Sequence, residues 1–224
     1  MRKKLLSYMR AQISIAIFDK MSFKNLSDKV IARVKIIVFL LAFMPLDKLL
    51  LYAYLNNLGA NPIEKITRVT GYWTLFFLLI TLAITPIRRL TKWLWVMRLR
   101  RMLGLFAFFY GFLHFLTYLI LDQFFDCEAI LKDIIKRPYI TIGFFAFVLM
   151  IPLAITSTDS LIRRLGGKRW RFLHRLVYLT AIAGVIHYWW LVKKDLTEPI
   201  IFAVVLTTLL GVRVFYGLKS IYKV

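Results

Sequence analysis

The sequence is poor in the residues that most kinds of protein site are built from. Its 224 residues include one cysteine, three histidines and 11 acidic residues, against 32 lysines and arginines. A single cysteine, Cys127, excludes an internal disulfide and any cysteine-based zinc or iron–sulfur site. Charged residues make up 19% and hydrophobic residues 60%, compared with about 25% and about 45–50% in soluble domains. These values exclude an ordinary water-soluble globule, a disordered chain and a disulfide scaffold.

Long apolar runs are what the sequence has instead. Six of them are near the roughly 20 residues that a membrane-crossing helix needs: 36–55, 72–87, 103–121, 140–155, 173–191 and 200–217. Prolines stand near three of their boundaries, so we expect Pro86 to end the second run, Pro138 to precede the fourth and Pro199 to open the sixth. The sequence therefore predicts an all-α membrane protein, a six-helix transmembrane bundle. The predicted divisions are a basic arm (1–35), the six-span domain (36–217) and a short tail (218–224).

The distribution of positive charge predicts the orientation of this bundle. Lysine and arginine number nine, six, five and three in the segments 1–35, 86–101, 156–171 and 213–224. They number only two, three and two in the alternate segments 56–71, 122–139 and 192–198. Because basic loops stay inside, both termini of the chain, which crosses the membrane several times, are predicted to be cytoplasmic. The excess positive charge then requires no nucleic acid.

The basic clusters allow two interpretations. Loop charge alone sets topology and attracts anionic lipid of the bilayer. Alternatively, six arginines form a docking surface for an anionic cofactor such as a flavin phosphate. These are Arg88, Arg89, Arg100, Arg101, Arg163 and Arg164.

All three histidines lie inside apolar runs, where ionisable groups usually mark function. Imidazoles that face each other across two helices are how a membrane bundle holds b-type haem. His114 lies ~16 Å along its helix from the basic side and His187 ~22 Å along its own, so both fall in the outer half of the bilayer. The two are predicted to ligate one haem. The alternative for each histidine is a buried donor that a backbone carbonyl or a tyrosine satisfies.

His174 stands at the cytoplasmic edge of the fifth run and would suit a second, inner haem. Two observations weaken that assignment. On an ideal helix, His174 points roughly 140° away from His187. The position 14 residues before His114 is Arg100, which cannot readily lose a proton to ligate iron. A contact to flavin or quinone is the alternative for His174.

Several motifs in the chain, taken together, resemble a known family. They include Leu58-Gly59-Ala60-Asn61-Pro62, Thr70-Gly71, Lys136-Arg137-Pro138-Tyr139, Arg163-Arg164-Leu165-Gly166, Leu173-His174-Arg175-Leu176 and His187-Tyr188. Over about residues 36–217 the sequence resembles the haem-binding membrane subunits of the bacterial periplasmic methionine-sulfoxide reductase system. These subunits are a branch of the ferric-reductase-like transmembrane family.

The resemblance implies an electron-transfer subunit that carries electrons outward from the quinone pool, or from reduced flavin, through b-type haem. The implied acceptor is a periplasmic molybdopterin-containing catalytic subunit that repairs methionine sulfoxide in proteins and forms a heterodimer with the chain. Catalysis would then reside in the partner. The implied cofactors are haem b, one or two, and FMN, with His114, His174 and His187 at haem-linked positions. The alternatives are a transmembrane ferric reductase, and a non-redox transporter or scaffold with structural histidines.

Overall fold

The computed structural model describes the backbone of residues 26–221 and the side chains of residues 26–217. Residues 1–25 of the predicted basic arm and 222–224 of the predicted tail lie outside this range. The described helices are α1 (Asp28–Tyr54), α2 (Pro62–Thr91), α3 (Arg100–Leu116), α4 (Cys127–Lys136), α5 (Pro138–Ile155), α6 (Asp159–Leu165), α7 (Gly167–Leu173), α8 (Leu176–Leu191) and α9 (Thr197–Ile221). A 3₁₀ turn, Trp95–Arg98, precedes α3, and a π-helical segment, Thr117–Asp122, extends it. No strand occurs between residues 26 and 221.

Five of the helical stretches in this part of the chain are long and apolar enough to cross a membrane. They are Asp28–Tyr54, Pro62–Thr91, Trp95–Asp122, Pro138–Ile155 and Thr197–Gly217. The predicted fifth span is represented by α8, which has 16 residues. At 1.5 Å per residue α8 is about 24 Å long, less than the ~30 Å hydrocarbon core of a bilayer. The all-helical membrane fold is therefore confirmed, and the count of six spans stays a prediction.

Local sequence signals account for several helix starts. The Asn61 side chain accepts a hydrogen bond from the Glu64 N–H at 3.2 Å, and Pro62 follows as the first residue of α2. Asp126 caps α4 in the same way, and Pro138 opens α5. Hydrogen bonds from Thr197, at the start of α9, hold the pKa of Asp195 below its usual range.

Pro86 does not end its helix, contrary to the prediction from sequence. It lies inside α2, which continues for five more residues to Thr91. A proline has no N–H for the carbonyl four residues earlier, which here belongs to Leu82. The Arg213 guanidinium of α9 donates to that Leu82 carbonyl. A donor from another helix therefore satisfies the acceptor that Pro86 leaves free, and α2 continues.

Two antiparallel helix pairs, α2 with α3 and α5 with α8, make the most extensive contacts in the fold. Small residues let α2 and α3 approach closely: a Cβ added at Gly104 would lie 3.6 Å from Thr81, and one at Gly111 would lie 3.3 Å from Thr74. Gly184 of α8 lies similarly near Leu75. All three glycines meet side chains of neighbouring helices.

The buried core is centred on α2 and α3, is mostly aliphatic with a group of aromatic rings, and includes residues of α8 and α9. The rings of Phe77 and Tyr110 stack with centroids 5.5 Å apart. The Tyr110 hydroxyl donates to the Ala42 carbonyl of α1 at 2.8 Å, so this core tyrosine is satisfied. Large apolar side chains elsewhere on α1 and α9 stay exposed, as expected of surfaces that face lipid.

The alternating helix directions give the bundle two ends of different charge. The basic end carries the arginines before α3 and on α6. The acidic end carries Asp122, Asp126, Asp133 and Glu198, with α4 beside it. These two names are used below for the ends of the bundle.

Candidate functional site

The structure brings His114 of α3 and His187 of α8 together. Their ring centroids lie 6.1 Å apart, and the ring planes make an angle of 75°. Each ring is half-buried. The fold therefore brings together the two histidines that the sequence predicted to lie at similar depth, and their ligation of a haem stays a prediction.

Both rings use the same nitrogen to contact a backbone carbonyl. Nδ1 of His114 lies 3.0 Å from the Thr67 carbonyl oxygen of α2, with the Thr70 hydroxyl at 3.5 Å. Nδ1 of His187 lies 2.6 Å from the Tyr139 carbonyl oxygen of α5. Because a carbonyl only accepts, each Nδ1 carries the hydrogen and each Nε2 keeps its lone pair. Each ring also lies against a glycine of the helix that supplies the carbonyl, Gly71 for His114 and Gly143 for His187.

This arrangement fits an iron held between two neutral imidazoles. Imidazole nitrogen binds a metal at about 2 Å, so two rings on opposite sides of one iron have centres roughly 6 Å apart. Neither Nε2 makes a hydrogen bond to another described residue. Within the described part of the chain there is no group of three or more His, Cys, Asp or Glu side chains that could hold a metal ion. The pair thus supplies two nitrogen ligands, which suits a macrocycle that supplies the rest.

His174 is in a different environment, near the basic end. Its ring stacks on Trp170 with centroids 3.9 Å apart, and its Nε2 lies 3.1 Å from the Thr156 hydroxyl. The Thr156 hydroxyl also donates to the Pro152 carbonyl, so His174 Nε2 is the donor to it. The Trp170 indole N–H donates to the Thr156 carbonyl, which ties the same elements together.

The helix is interrupted at His174. It lies in the turn between α7, which ends at Leu173, and α8, which begins at Leu176. The prediction of one continuous span over 173–191 is therefore wrong at its first residues. The angle of roughly 140° between His174 and His187 assumed an ideal helix through both residues and does not apply.

The six arginines singled out from the sequence have different surroundings. Arg101 pairs with Asp159 at 2.6 Å, and Arg89 lies over the Tyr216 ring at 5.2 Å. Arg163 and Arg164 are exposed on α6, and Arg88 is half-buried near the end of α2. Arg100 is half-buried and interacts electrostatically with His174 and with Arg213.

Arg213 is a functional candidate that the sequence did not single out. One of its terminal nitrogens donates to the Tyr178 hydroxyl at 2.7 Å, and its guanidinium lies 5.1 Å from the centre of that ring. Its Nε is buried and has no hydrogen-bond partner in the described structure. In the sequence Arg213 counted only toward the basic tail, and no local motif distinguished it.

The sequence also did not identify Gly143 or the carbonyls of Thr67 and Tyr139 as parts of the site. Backbone acceptors have no sequence signature, and a glycine inside an apolar helix is read as a packing position. The Thr70-Gly71 and Pro138-Tyr139 motifs were the nearest signals, since each stands beside one of these carbonyls.

Comparison with known proteins decides the family. The model of the ferric reductase like transmembrane component matches residues 32–185, more than half of the chain. The chain belongs to the ferric-reductase-like transmembrane family. The matched segment includes α2, α3, α5 and the first part of α8; it contains His114, and His187 lies two residues beyond its end.

Within this ferric-reductase-like family, the chain is similar to proteins named protein-methionine-sulfoxide reductase heme-binding subunit MsrQ. The relative from Herminiimonas arsenicoxydans is 59% identical over 186 residues, which are 82% of this chain and 85% of the relative. That from Ralstonia nicotianae is 53% identical over 193 residues, 85% of this chain and 89% of the relative. That from Rhodospirillum rubrum is 60% identical over 158 residues, 70% of this chain and 76% of the relative.

Proposed function

We propose that the chain is the haem-binding, electron-transfer subunit of a periplasmic methionine-sulfoxide reductase system. One observation carries the proposal: the ring centroids of His114 and His187, on two helices, lie 6.1 Å apart, and each Nδ1 donates to a backbone carbonyl. The names of the similar proteins support the same reading, since they state a heme-binding subunit of this reductase.

His114 and His187 would together hold one b-type haem through their Nε2 atoms. When bound there, b-type haem supplies a centre that gains and loses one electron. Iron that two protein imidazoles hold would not also bind a substrate, so these residues favour electron transfer over catalysis. The chemistry of methionine-sulfoxide reduction then belongs to a partner, for which we propose a periplasmic molybdopterin-containing catalytic subunit.

The direction of transfer follows from the proposed orientation in a bacterial inner membrane. We propose that the basic end is cytoplasmic, as the distribution of lysine and arginine favours. The His114–His187 pair then lies toward the periplasm, where His187 donates to the first turn of α5 beside α4. With α8 as a short sixth span, both termini are cytoplasmic. A helix shorter than the bilayer core is accommodated by local thinning or by its neighbours.

The basic end is where we place the entry of electrons, from quinol or from a flavin reductase. His174 with Trp170 offers an aromatic and hydrogen-bonding surface that suits a second haem, a flavin or a quinone. Arg100 and Arg213 are two half-buried cations that interact with each other, and no described carboxylate lies within 4 Å of either. A phosphate of FMN or a haem propionate would compensate both. Arg101, Arg88, Arg89, Arg163 and Arg164 are then secondary contacts or lipid-facing topology signals.

The acidic end supplies the proposed docking face for the catalytic subunit. The amphipathic helix α4 begins there, capped by Asp126, and presents exposed apolar residues such as Leu131 and Ile135. Cys127, at its start, is exposed and free. Exposed apolar residues beside acidic ones suit a protein partner at the membrane surface.

The test is an optical spectrum with haem quantification on the purified full chain. The proposal predicts the sharp visible bands of reduced b-type haem, with at least one haem per polypeptide. A colourless preparation, inserted in the membrane and expressed with ample haem, would favour a transporter or scaffold with structural histidines.

A transmembrane ferric reductase is the second candidate, because the family model carries that description. It predicts rapid reduction of ferric chelates by the purified chain without any periplasmic protein. The proposed function predicts slow reduction of chelates and fast oxidation of the reduced haem by the methionine-sulfoxide reductase catalytic subunit.

A further inference from the structure

His114 and His187, the proposed haem ligands, make the same kind of contacts with two different helices. His114 contacts the carbonyl of Thr67 and lies against Gly71, four residues later on α2. His187 contacts the carbonyl of Tyr139 and lies against Gly143, again four residues later, on α5. The carbonyl, the glycine and their spacing are thus repeated in two helix pairs that share no residues.

The spacing of four has a physical reason. In an α-helix the carbonyl of one residue accepts the N–H of the residue four positions later, so the glycine is the carbonyl's own helical partner. A carbonyl oxygen has a second lone pair, which a side chain of a neighbouring helix can reach. A Cβ on that partner residue would stand where the approaching ring now lies. Glycine therefore opens the carbonyl to the imidazole without breaking the helix.

The distances show how little space remains. A Cβ built on Gly71 would lie 3.0 Å from Cε1 and 3.1 Å from Nδ1 of His114. A Cβ built on Gly143 would lie 2.6 Å from Nδ1 and 2.8 Å from Cε1 of His187. Side chains essentially never approach so closely, so the ring of His187 would have to move, and its Nδ1 is the atom that would be displaced first.

Other glycines of the bundle differ from these two. A Cβ on Gly184, three residues before His187 on the same helix, would meet only Leu75 at 3.4 Å. A Cβ on Gly211 would meet nothing within 4 Å. Close helix packing alone therefore does not explain why a glycine stands under each imidazole.

We propose that Gly71 and Gly143 are positioning residues, which with the carbonyls of Thr67 and Tyr139 fix the tautomer and the plane of the two axial imidazoles. This inference rests on the proposed function. A hydrogen bond from Nδ1–H to a carbonyl increases the basicity of Nε2 as a ligand and stabilises the oxidised metal. Losing the bond weakens the ligand, so the haem should be held less tightly and its reduction potential should rise.

The experiment compares Gly143→Ala and Gly71→Ala in the full chain with the matched control Gly184→Ala. The readouts are haem per polypeptide, the electron paramagnetic resonance spectrum of the ferric haem and a redox titration. We expect Gly143→Ala to weaken haem retention roughly 10–100-fold, the usual effect of removing the hydrogen-bond partner of a metal ligand, or to shift the spectrum and raise the potential. Gly71→Ala should act in the same direction but less, and Gly184→Ala should match the parent.

The outcomes separate this inference from the proposed function. A parent protein without haem contradicts the proposed function itself. A parent that binds haem, with Gly143→Ala and Gly71→Ala unchanged in content, spectrum and potential, overturns the positioning role alone. If Gly143→Ala does not insert or fold, the milder Gly71→Ala variant decides the question. An equal effect of Gly184→Ala would assign the change to helix packing and contradict the inference.

Discussion

The ring planes of His114 and His187 stand at 75° to each other, with their centroids 6.1 Å apart. Each ring plane follows from its own hydrogen bond, to Thr67 on α2 in one case and to Tyr139 on α5 in the other. The relative orientation of the two imidazoles is therefore set by how the two helix pairs lie against each other.

This angle predicts a spectroscopic property of the ferric haem. Two axial imidazoles with nearly perpendicular planes give a strongly anisotropic low-spin resonance signal, whereas parallel planes give a more rhombic one. We expect the strongly anisotropic signal from the purified chain at low temperature. A rhombic signal with full haem content would show that the rings turn when iron binds. It would contradict the ring orientations that the hydrogen bonds to Thr67 and Tyr139 set.

Removal of a single histidine should have unequal effects at the three positions. We expect His114→Ala and His187→Ala each to abolish the haem between α3 and α8, because a lost axial ligand leaves one nitrogen to hold it. His174→Ala should leave that haem's spectrum in place, since His174 contacts Trp170 and Thr156 instead. The measurement is the optical spectrum of each purified variant. If His174→Ala were the only variant to lose the spectrum, the haem would not lie between His114 and His187.

The sequence was sufficient for this pairing because depth in a membrane helix can be counted in residues. A rise of 1.5 Å per residue places His114 and His187 at similar heights, whatever their neighbours. Their hydrogen-bond partners could not be predicted, because a backbone carbonyl is common to every residue. The predicted angle between His174 and His187 was wrong because it assumed one continuous helix. No proline marks the turn between α7 and α8 in the sequence.

Arg213 should contribute to stability through the carbonyl that Pro86 leaves free. Arg213→Met removes the donor to Leu82, which is 0% exposed, and the donor to Tyr178. An unsatisfied buried acceptor costs about 1–3 kcal/mol, which is the expected loss in the free energy of unfolding. Denaturant unfolding in detergent measures it. Arg89→Met, which removes an exposed contact to Tyr216, is the control and should cost about 1 kcal/mol or less.

A second background makes this prediction specific. Pro86→Ala restores an N–H that can bond the Leu82 carbonyl within α2. In that background Arg213→Met should cost about 1 kcal/mol less than in the parent. Equal costs in both backgrounds would show that Arg213 does not act through this carbonyl. The continuation of α2 past Pro86 was not predictable from sequence, because the compensating donor is on α9, more than a hundred residues away.

Retention of flavin should distinguish Arg100 from Arg101, its neighbour in sequence. Arg101 is paired with Asp159, whereas Arg100 faces Arg213 and has no described carboxylate within 4 Å. If a flavin phosphate binds at the basic end, Arg100→Gln should weaken retention roughly 10–100-fold, from the loss of a charged hydrogen bond. Arg101→Gln should have a smaller effect, and Arg100→Lys should retain part of the flavin. The measurement is flavin per polypeptide after purification. If Arg100→Gln retained as much flavin as the parent, the arginines would serve only to set membrane topology.

The most direct test of the central proposal is haem content per polypeptide in the purified parent and in His114→Ala and His187→Ala. We predict at least one b-type haem in the parent and the loss of the same haem in both variants, with each protein inserted and folded. Full haem content in His114→Ala, or a parent without haem when haem is in ample supply, would contradict it.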